Sequence, residues 1–286
     1  MLDLTKTIAV IGAGQMGAGI AQVAATTGFK TLLFDANQTA LSQGYAGTLK
    51  RLDRLVEKGT LSAEQKDKAV ANIRKVSGLG ELAAADLIIE AIIEDPATKI
   101  TLFKSIDSLC KPDTIFASNT SSVSITKLAG ATNRPDRFIG MHFMNPVPLM
   151  QLVEIIRGLQ TSDATYQTIH ALTVALGKTP VTAHHDYPGF IVNRILIPML
   201  NEACFVLMEG IATPQEIDTA MKLGTNQPMG PLELADFVGL DTCLAICRIF
   251  HNELGDDKYR PCPLLVKYVE AGWYGKKTKR GFYTYE

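Results

Sequence analysis

The sequence predicts an α/β fold: a Rossmann-type, doubly wound, mostly parallel sheet with an inserted helical pair, followed by an all-helical C-terminal domain. Three observations predict it. A short β-branched run meets a glycine cluster near the N-terminus, strand-like apolar runs then alternate with helical periodicity, and beyond Pro188 the segments have helical spacing with Pro starts and Gly stops.

Taken in order, KTIAVIG (6–12) is a strand running into the glycines, and QMGAGIAQVAATTG (15–28) is a small-residue helix ended by Gly28. KTLLFD (30–35) is a second strand and completes a βαβ unit of about thirty residues. Leu41, Tyr45, Leu49, Leu52 and Leu55 recur at helical spacing among Lys50, Arg51, Arg54 and Lys58, and SAEQKDKAVANIRK (62–75) continues as a second helix opened by a Ser cap. These two form the polar helical pair inserted between strands. Alternation resumes with the strand DLIIEAI (86–92), a helix through TKITLFKSIDSL, the strand TIFASN (114–119), a short helix near ITKLAGA and the strand RFIGMHFM (137–144).

LVEIIRG (152–158), a helix over 163–177 and PVTAHH (180–185) close the first domain, residues 1–187. The second domain, residues 188–286, is read as helical runs, with 230–255 as one continuous pattern and a kink at Pro198. LIPML and CLAICRIF are apolar on more than one face, which predicts a homodimer formed through this domain.

A chain of 286 residues with a formal charge of −1 and interspersed cations and anions offers no basic stripe for nucleic acid. No apolar run approaches the ~20 residues that cross a bilayer. The N-terminal MLDLTKTIAVIG has neither a basic n-region nor a small-residue cleavage site, so a cytoplasmic protein without membrane contact is expected. Cys110, Cys204, Cys243, Cys247 and Cys262 are scattered among apolar neighbours, as suits thiols in a reducing compartment. Cys243 and Cys247 sit four apart but lack the partners of a metal site, and no metal is expected.

Gly12, Gly14 and Gly17, with Gln15 and Met16 between them, fit G-x-G-x-x-G after a strand and at the opening of a helix. Such glycines permit a tight turn and close approach to a pyrophosphate, and the helix N-terminus attracts the anion. Asp35 ends the next strand eighteen residues after Gly17, where a carboxylate accepts hydrogen bonds from ribose hydroxyls. A 2′-phosphate would be repelled there, so NAD is expected over NADP.

FIGMHFMNPVPLMQLVEII (138–156) carries His142 and Glu154 in an apolar, turn-containing setting. The two lie equally far from Pro148, so strands folding back around that turn place them side by side on one face. A carboxylate beside an imidazole fixes its tautomer and stabilises the imidazolium, the arrangement of a general base and its orienter; a cross-strand hydrogen bond without chemistry is the alternative. In SNTSSVSI (118–125), Ser121 and Ser122 lie where the carboxyl end of a parallel strand opens into a ligand crevice, or they only cap the next helix.

With GAGQMGAGIAQ, EAIIED, ASNTSS, GMHFMNPVPLMQLVEII, PGFIVNR, NQPMGPLELADFVGLD and GFYTY in order along almost the whole chain, the sequence resembles the 3-hydroxyacyl-CoA dehydrogenase family, and within it the short-chain bacterial members acting on 3-hydroxybutyryl-CoA. The resemblance implies that His142 is the base taking the C3 hydroxyl proton as hydride leaves for the nicotinamide, with Glu154 its carboxylate partner. It implies that Ser121 donates to the substrate oxygen and that Asn193, in PGFIVNR, helps hold the acyl group. Glu94, Lys99, Ser121, Asn145 and Lys267 match positions that contact NAD in the family; read alone, Glu94 and Lys99 are a solvated pair at a helix start. Arg54 and Lys58 resemble basic residues near the CoA phosphates, with a solvated basic face as the alternative.

Two departures from the family pattern stand out. TAHHDYPGF, which contains His184 and His185, is one residue longer than expected before PGF, and GKKTKRGFY has Lys279 where a glycine is usual. The expected activity is NAD-dependent interconversion of (S)-3-hydroxyacyl-CoA and 3-ketoacyl-CoA of short chain length. The alternatives are a β-hydroxyacid dehydrogenase of the 6-phosphogluconate or hydroxyisobutyrate type, or a non-catalytic nucleotide-binding or structural protein on the same fold.

Overall fold

The computed structural model describes residues 6–286; the polar lead at 1–5, on which the leaderless reading partly rests, lies outside them. The chain divides into two compact units at Tyr187–Pro188.

In the first unit, β1 (Thr7–Ile11), α1 (Gln15–Thr26) and β2 (Lys30–Phe34) form the βαβ unit, followed by α2 (Gln38–Glu57) and α3 (Ala63–Asn72). Then come β3 (Ile73–Val76), β4 (Leu87–Glu90), α4 (Pro96–Asp107), β5 (Ile115–Ser118), α5 (Ile125–Ala129), β6 (Phe138–Phe143), β7 (Leu152–Ile156), α6 (Asp163–Ala175) and β8 (Thr179–Ala183). The eight strands make one sheet in the order β3-β2-β1-β4-β5-β6-β7-β8. Every neighbouring pair is parallel except β6 and β7. Strand order reverses between β1 and β4, the position at which a doubly wound sheet opens a crevice beyond its carboxyl ends. The central strands are nearly continuous apolar runs because both faces are covered; Val10, Leu33, Ile89, Ala117, Ile139 and Ile155 are fully buried.

The helix expected over 62–75 ends at Asn72, and Ile73–Val76 is instead an edge strand parallel to β2. Arg74 and Lys75 look helical in sequence because they continue a charged run, yet they face water on a short edge strand between buried Ile73 and Val76. Charges of this kind blunt a sheet edge.

The second unit contains α7 (Val192–Met208), which runs through Pro198, then α8 (Pro214–Thr225), α9 (Pro231–Val238), α10 (Leu240–Leu254) and α11 (Pro263–Glu270). The continuous pattern expected over 230–255 breaks at Gly239, whose φ of 104° separates α9 from α10. Leu200, Cys204, Leu232, Leu244, Cys247, Phe250 and Leu265 pack together as its core. The unit is not wholly helical: Gly275 and Thr284 each bridge to Arg280 in the C-terminal segment. Lys279, at the position where a glycine was expected, holds the turn with φ 59°.

All five cysteines are buried as free thiols, and burial first, with the charge of Cys247 on Cys243 and of Cys262 on Cys247 behind it, pushes Cys243 and Cys247 up to about 12. Among the described residues no group of three or more His, Cys, Asp or Glu could hold a metal ion, and no helix is long and apolar enough to cross a membrane.

Candidate active site

The glycine loop follows from where backbone must pass backbone. Gly12 has φ 104°, and a Cβ there would run into the Ala91 carbonyl; at Gly17 it would run into the Gly12 carbonyl. Gly14 is different: it caps α1, and a Cβ there would meet nothing within 4 Å. Gly12 and Gly14 border a cavity of about 860 Å³ whose walls also include Gln15, Met16 and Asp35. The Asp35 carboxylate also braces the loop, accepting from the Ala13 and Asn37 N–H groups at 2.8 Å each. Open space at the N-terminus of α1, a carboxylate at the end of β2 and a cavity of this size fit an adenine dinucleotide.

His142 and Glu154 are register partners across β6 and β7. The imidazole Nδ1 lies 2.7 Å from Glu154 Oε2, with Glu154 fully buried and the histidine side chain 10% exposed. Contacts from β5's end, α1 and Lys178 hold this hairpin. The Asn119 side chain accepts from the Phe143 N–H at 2.8 Å. Gln15 donates to the Asn145 side chain at 2.9 Å, and a Cβ on Gly19 would lie 2.9 Å from Val147, so the turn sits directly on α1. Lys178, buried in β8's approach, donates to the carbonyls of Val147 and Met150 at 2.7 and 2.8 Å; burial lowers its ammonium pKa.

The Ser121 loop follows β5. Glu94 Oε1 accepts from the Thr120 hydroxyl at 2.5 Å, the Ser121 N–H at 2.7 Å and the Ser122 N–H at 3.0 Å, with the Ser121 and Ser122 hydroxyls at 3.2 and 3.1 Å. Glu94 Oε2 pairs with Lys99 at 3.2 Å. Burial alone would raise the Glu94 carboxyl, but the Lys99 charge, the Thr120 hydroxyl and the Ser121 N–H outweigh it and hold it below the ordinary carboxylate range. Only the Glu94 end of the pair meets solvent: the Lys99 side chain is 1% exposed and meets Glu90 at 2.5 Å as well. Sequence reasoning passed over Glu90, Thr120, Asn119 and Lys178. Glu90 carried a usable signal, a charge closing the apolar run LIIE, the same kind of anomaly that marked His142.

Arg54 lies on α2 and Lys58 caps its C-terminus; both are exposed. Asn193 is in the first turn of α7 and Lys267 is exposed on α11, both in the second unit. His184 and His185 are exposed just before the boundary, where neighbouring Asp186 accepts from the Ser124 hydroxyl and the Thr126 N–H, each at 2.7 Å.

Residues 7–187 match the NAD binding domain of 3-hydroxyacyl-CoA dehydrogenase, and residues 189–285 match the C-terminal domain of the same family. A 3-hydroxybutyryl-CoA dehydrogenase of Bradyrhizobium diazoefficiens is 54% identical, over 100% of this chain and 97% of that protein. The mitochondrial hydroxyacyl-coenzyme A dehydrogenase of Homo sapiens is 44% identical, over 99% of this chain and 92% of that one. Among solved structures, (S)-3-hydroxybutyryl-CoA dehydrogenase from Ralstonia eutropha superposes with a TM-score of 0.96 at 50% identity, covering 99% of each chain.

Proposed function

The chain belongs to the 3-hydroxyacyl-CoA dehydrogenase family, and from that membership we propose that it interconverts (S)-3-hydroxybutyryl-CoA and acetoacetyl-CoA with His142 and Glu154 as its acid–base pair. The observation that carries this reading is the buried 2.7 Å contact between the two side chains beside the nucleotide-binding half of the sheet. Bound NAD supplies the hydride acceptor or, when reduced, the donor.

Glu154 accepts from Nδ1–H, which fixes the tautomer with the basic lone pair at Nε2 and holds the ring in place. His142 takes the proton of the C3 hydroxyl in oxidation and returns it in reduction. Ser121 donates to the C3 oxygen, where negative charge develops in the transition state. Its hydroxyl rests near Glu94, and the Ser121 N–H to Glu94 bond keeps the loop in place when the hydroxyl turns to substrate. Gly12, Gly14, Gln15, Met16, Gly17, Asp35, Glu94, Ser121, Asn145 and Lys267 are assigned to NAD, Asn193 to the acyl group, and Arg54 and Lys58 to the CoA phosphates; Lys99, which the sequence also matches to an NAD contact, has its side chain buried between Glu90 and Glu94 and serves the cofactor site through Glu94. Exposed Ile211 and Phe237 support a homodimer through the helical unit.

The test is oxidation of NADH followed by absorbance with acetoacetyl-CoA. Turnover with NADH, and kcat/KM at least tenfold lower with NADPH because the Asp35 carboxylate repels a 2′-phosphate, is the expected outcome. An inert wild type would overturn the activity, and equal use of NADPH would overturn the role of Asp35.

A further inference from the structure

Glu90 lies at the end of β4 with no exposed surface, and every atom of its carboxylate is engaged. Oε1 accepts from the Ile92 N–H at 2.8 Å and from Lys99 at 2.5 Å, and Oε2 accepts from the Ser118 hydroxyl at 2.5 Å. Lys99, from the first turns of α4, spans from this carboxylate to Glu94. A negative, a positive and a negative group thus run in line from the sheet interior to the loop that carries Ser121.

Burying an ion pair costs several kcal/mol per ion in dehydration, so an apolar pair of similar volume would hold β4 against α4 at least as well. What an apolar pair could not do is fix a carboxylate at Glu94. That carboxylate still shows 36% of its side chain to solvent and would be free to swing without a cation beneath it. Lys99 also keeps Glu94 ionised, and only an ionised carboxylate accepts all the donors that Thr120, Ser121 and Ser122 present.

We propose that Glu90 and Lys99 are positioning residues: a buried ion pair that fixes the Glu94 carboxylate and, through it, the Ser121 N–H and hydroxyl that serve the reaction. This rests on the reading of Ser121 under Proposed function. The charges facing Glu94 are Lys99 from α4 and, behind it, Glu90 from β4. Asp95 is turned away to cap α4 through the Thr98 N–H, and the Ser121 loop supplies only neutral donors. Lys99 therefore acts on Ser121 through Glu94.

The experiment is a double-mutant cycle on the full chain, combining Lys99→Met with Ser121→Ala and reading kcat/KM for acetoacetyl-CoA, the NADH dissociation constant and the pH profile. Lys99→Met should lower kcat/KM at least tenfold in the wild-type background and less than about twofold in the Ser121→Ala background, where the positioned hydroxyl is already gone. NADH affinity, which Glu94 also serves, should weaken by less than kcat/KM falls, and the acid limb of kcat/KM should move to higher pH as Glu94 loses its cation. Glu90→Gln, which removes the buried counter-charge but keeps the size of the side chain, should shift the same readouts in the same direction and carries the cycle if Lys99→Met does not fold.

Equal losses in both backgrounds, or a loss confined to NADH affinity, would overturn the proposal, the latter by making Lys99 a direct cofactor ligand. Failure of both variants to fold would overturn it too, by making the pair a support of the fold. An inert wild type would bring down the function and this inference together, whereas an active wild type with additive losses would bring down this inference alone.

Discussion

Both units bury carboxylates, but they surround them differently. In the first unit Glu90 and Glu154 sit on strands and meet side chains, Lys99 and His142, that lead toward a ligand crevice. In the second, Asp218 and Asp236 are 3% and 1% exposed and meet backbone N–H groups and tyrosine hydroxyls. Asp218 takes the N–H groups that open α9, at Leu232 and Glu233, together with the Tyr283 hydroxyl. Asp236 takes the N–H groups of Phe282 and Tyr283 and the Tyr285 hydroxyl. Carboxylates of the second kind tie the C-terminal segment to helices α8 and α9, while those of the first kind are proposed to orient groups that do chemistry. The difference is testable because substitution should separate activity from stability in opposite directions.

The largest effect belongs to the hairpin. His142→Gln removes the proton acceptor but keeps a side chain able to donate to Glu154, so kcat should fall by about 10²–10⁴, the usual contribution of general acid–base catalysis, with the NADH dissociation constant unchanged within about threefold. Steady-state kinetics and cofactor fluorescence read the two quantities. A kcat within a factor of three of wild type would erase the contrast, leaving His142 and Glu154 as a cross-strand brace like the aspartates.

That pair was legible in the sequence because two antiparallel strands joined by a short turn leave little choice of register, so equal distances from Pro148 placed the partners opposite each other. The glycine loop was legible for a similar reason, since backbone close approach restricts residue type. Two things were not. β3 was hidden because an edge strand with Arg74 and Lys75 toward water has no alternation to distinguish it from the helix before it. The Glu90–Lys99–Glu94 line was hidden because it joins β4, α4 and the loop after β5, and Lys99 looks solvated until the packing of α4 buries it.

Asp236→Ala should do the reverse of His142→Gln. It leaves two N–H groups and a tyrosine hydroxyl without their acceptor, costing about 2–4 kcal/mol, and should lower the melting temperature by roughly 2–4 °C per kcal/mol with NADH affinity intact. Burial first, and then the Asp218 charge, push the Asp236 carboxyl up against the donors from Tyr283, Phe282 and Tyr285. A carboxyl whose folded-state pKa is raised contributes fully below its unfolded value of about 4 and loses that contribution as pH rises through the folded value. Wild type should therefore lose stability across that rise, and Asp236→Asn should flatten the slope. Thermal melts from acid to neutral pH check it, and an unchanged slope would show that the charge is not what the fold feels.

A smaller effect separates site from fold at a single position. A Cβ on Gly14 meets no protein atom within 4 Å and Gly14 has φ −65°, so Gly14→Ala should leave the melting temperature within about 1 °C. The methyl group would nevertheless stand at the N-terminus of α1 where a pyrophosphate must approach the backbone closely, weakening NADH by about tenfold, or ~1.4 kcal/mol. Titration calorimetry and a melt on the same sample read both sides. Unweakened binding would move the pyrophosphate away from this helix end.

The smallest effect lies in the C-terminal segment that the aspartates secure. Lys279 holds φ 59° and ψ 10° in the turn after residues 276–278, a left-handed conformation in which a Cβ is strained and a glycine is not. The neighbouring chain is pinned by its own bonds: the Gly275 N–H donates to the Arg280 carbonyl at 2.8 Å and the Tyr285 N–H to the Lys279 carbonyl at 2.9 Å. With the turn over-determined in this way, the lysine tolerates the strain, and Lys279→Gly should relieve it. Relief is partly offset by the greater freedom glycine has in the unfolded chain, so the net gain should be about 0.5–1 kcal/mol, seen as a melting temperature raised by a degree or more with kcat and NADH affinity unchanged. A gain in stability with unaltered kinetics would place this turn wholly on the fold-holding side, and a change in kcat would mean that the segment Asp236 secures also serves the reaction.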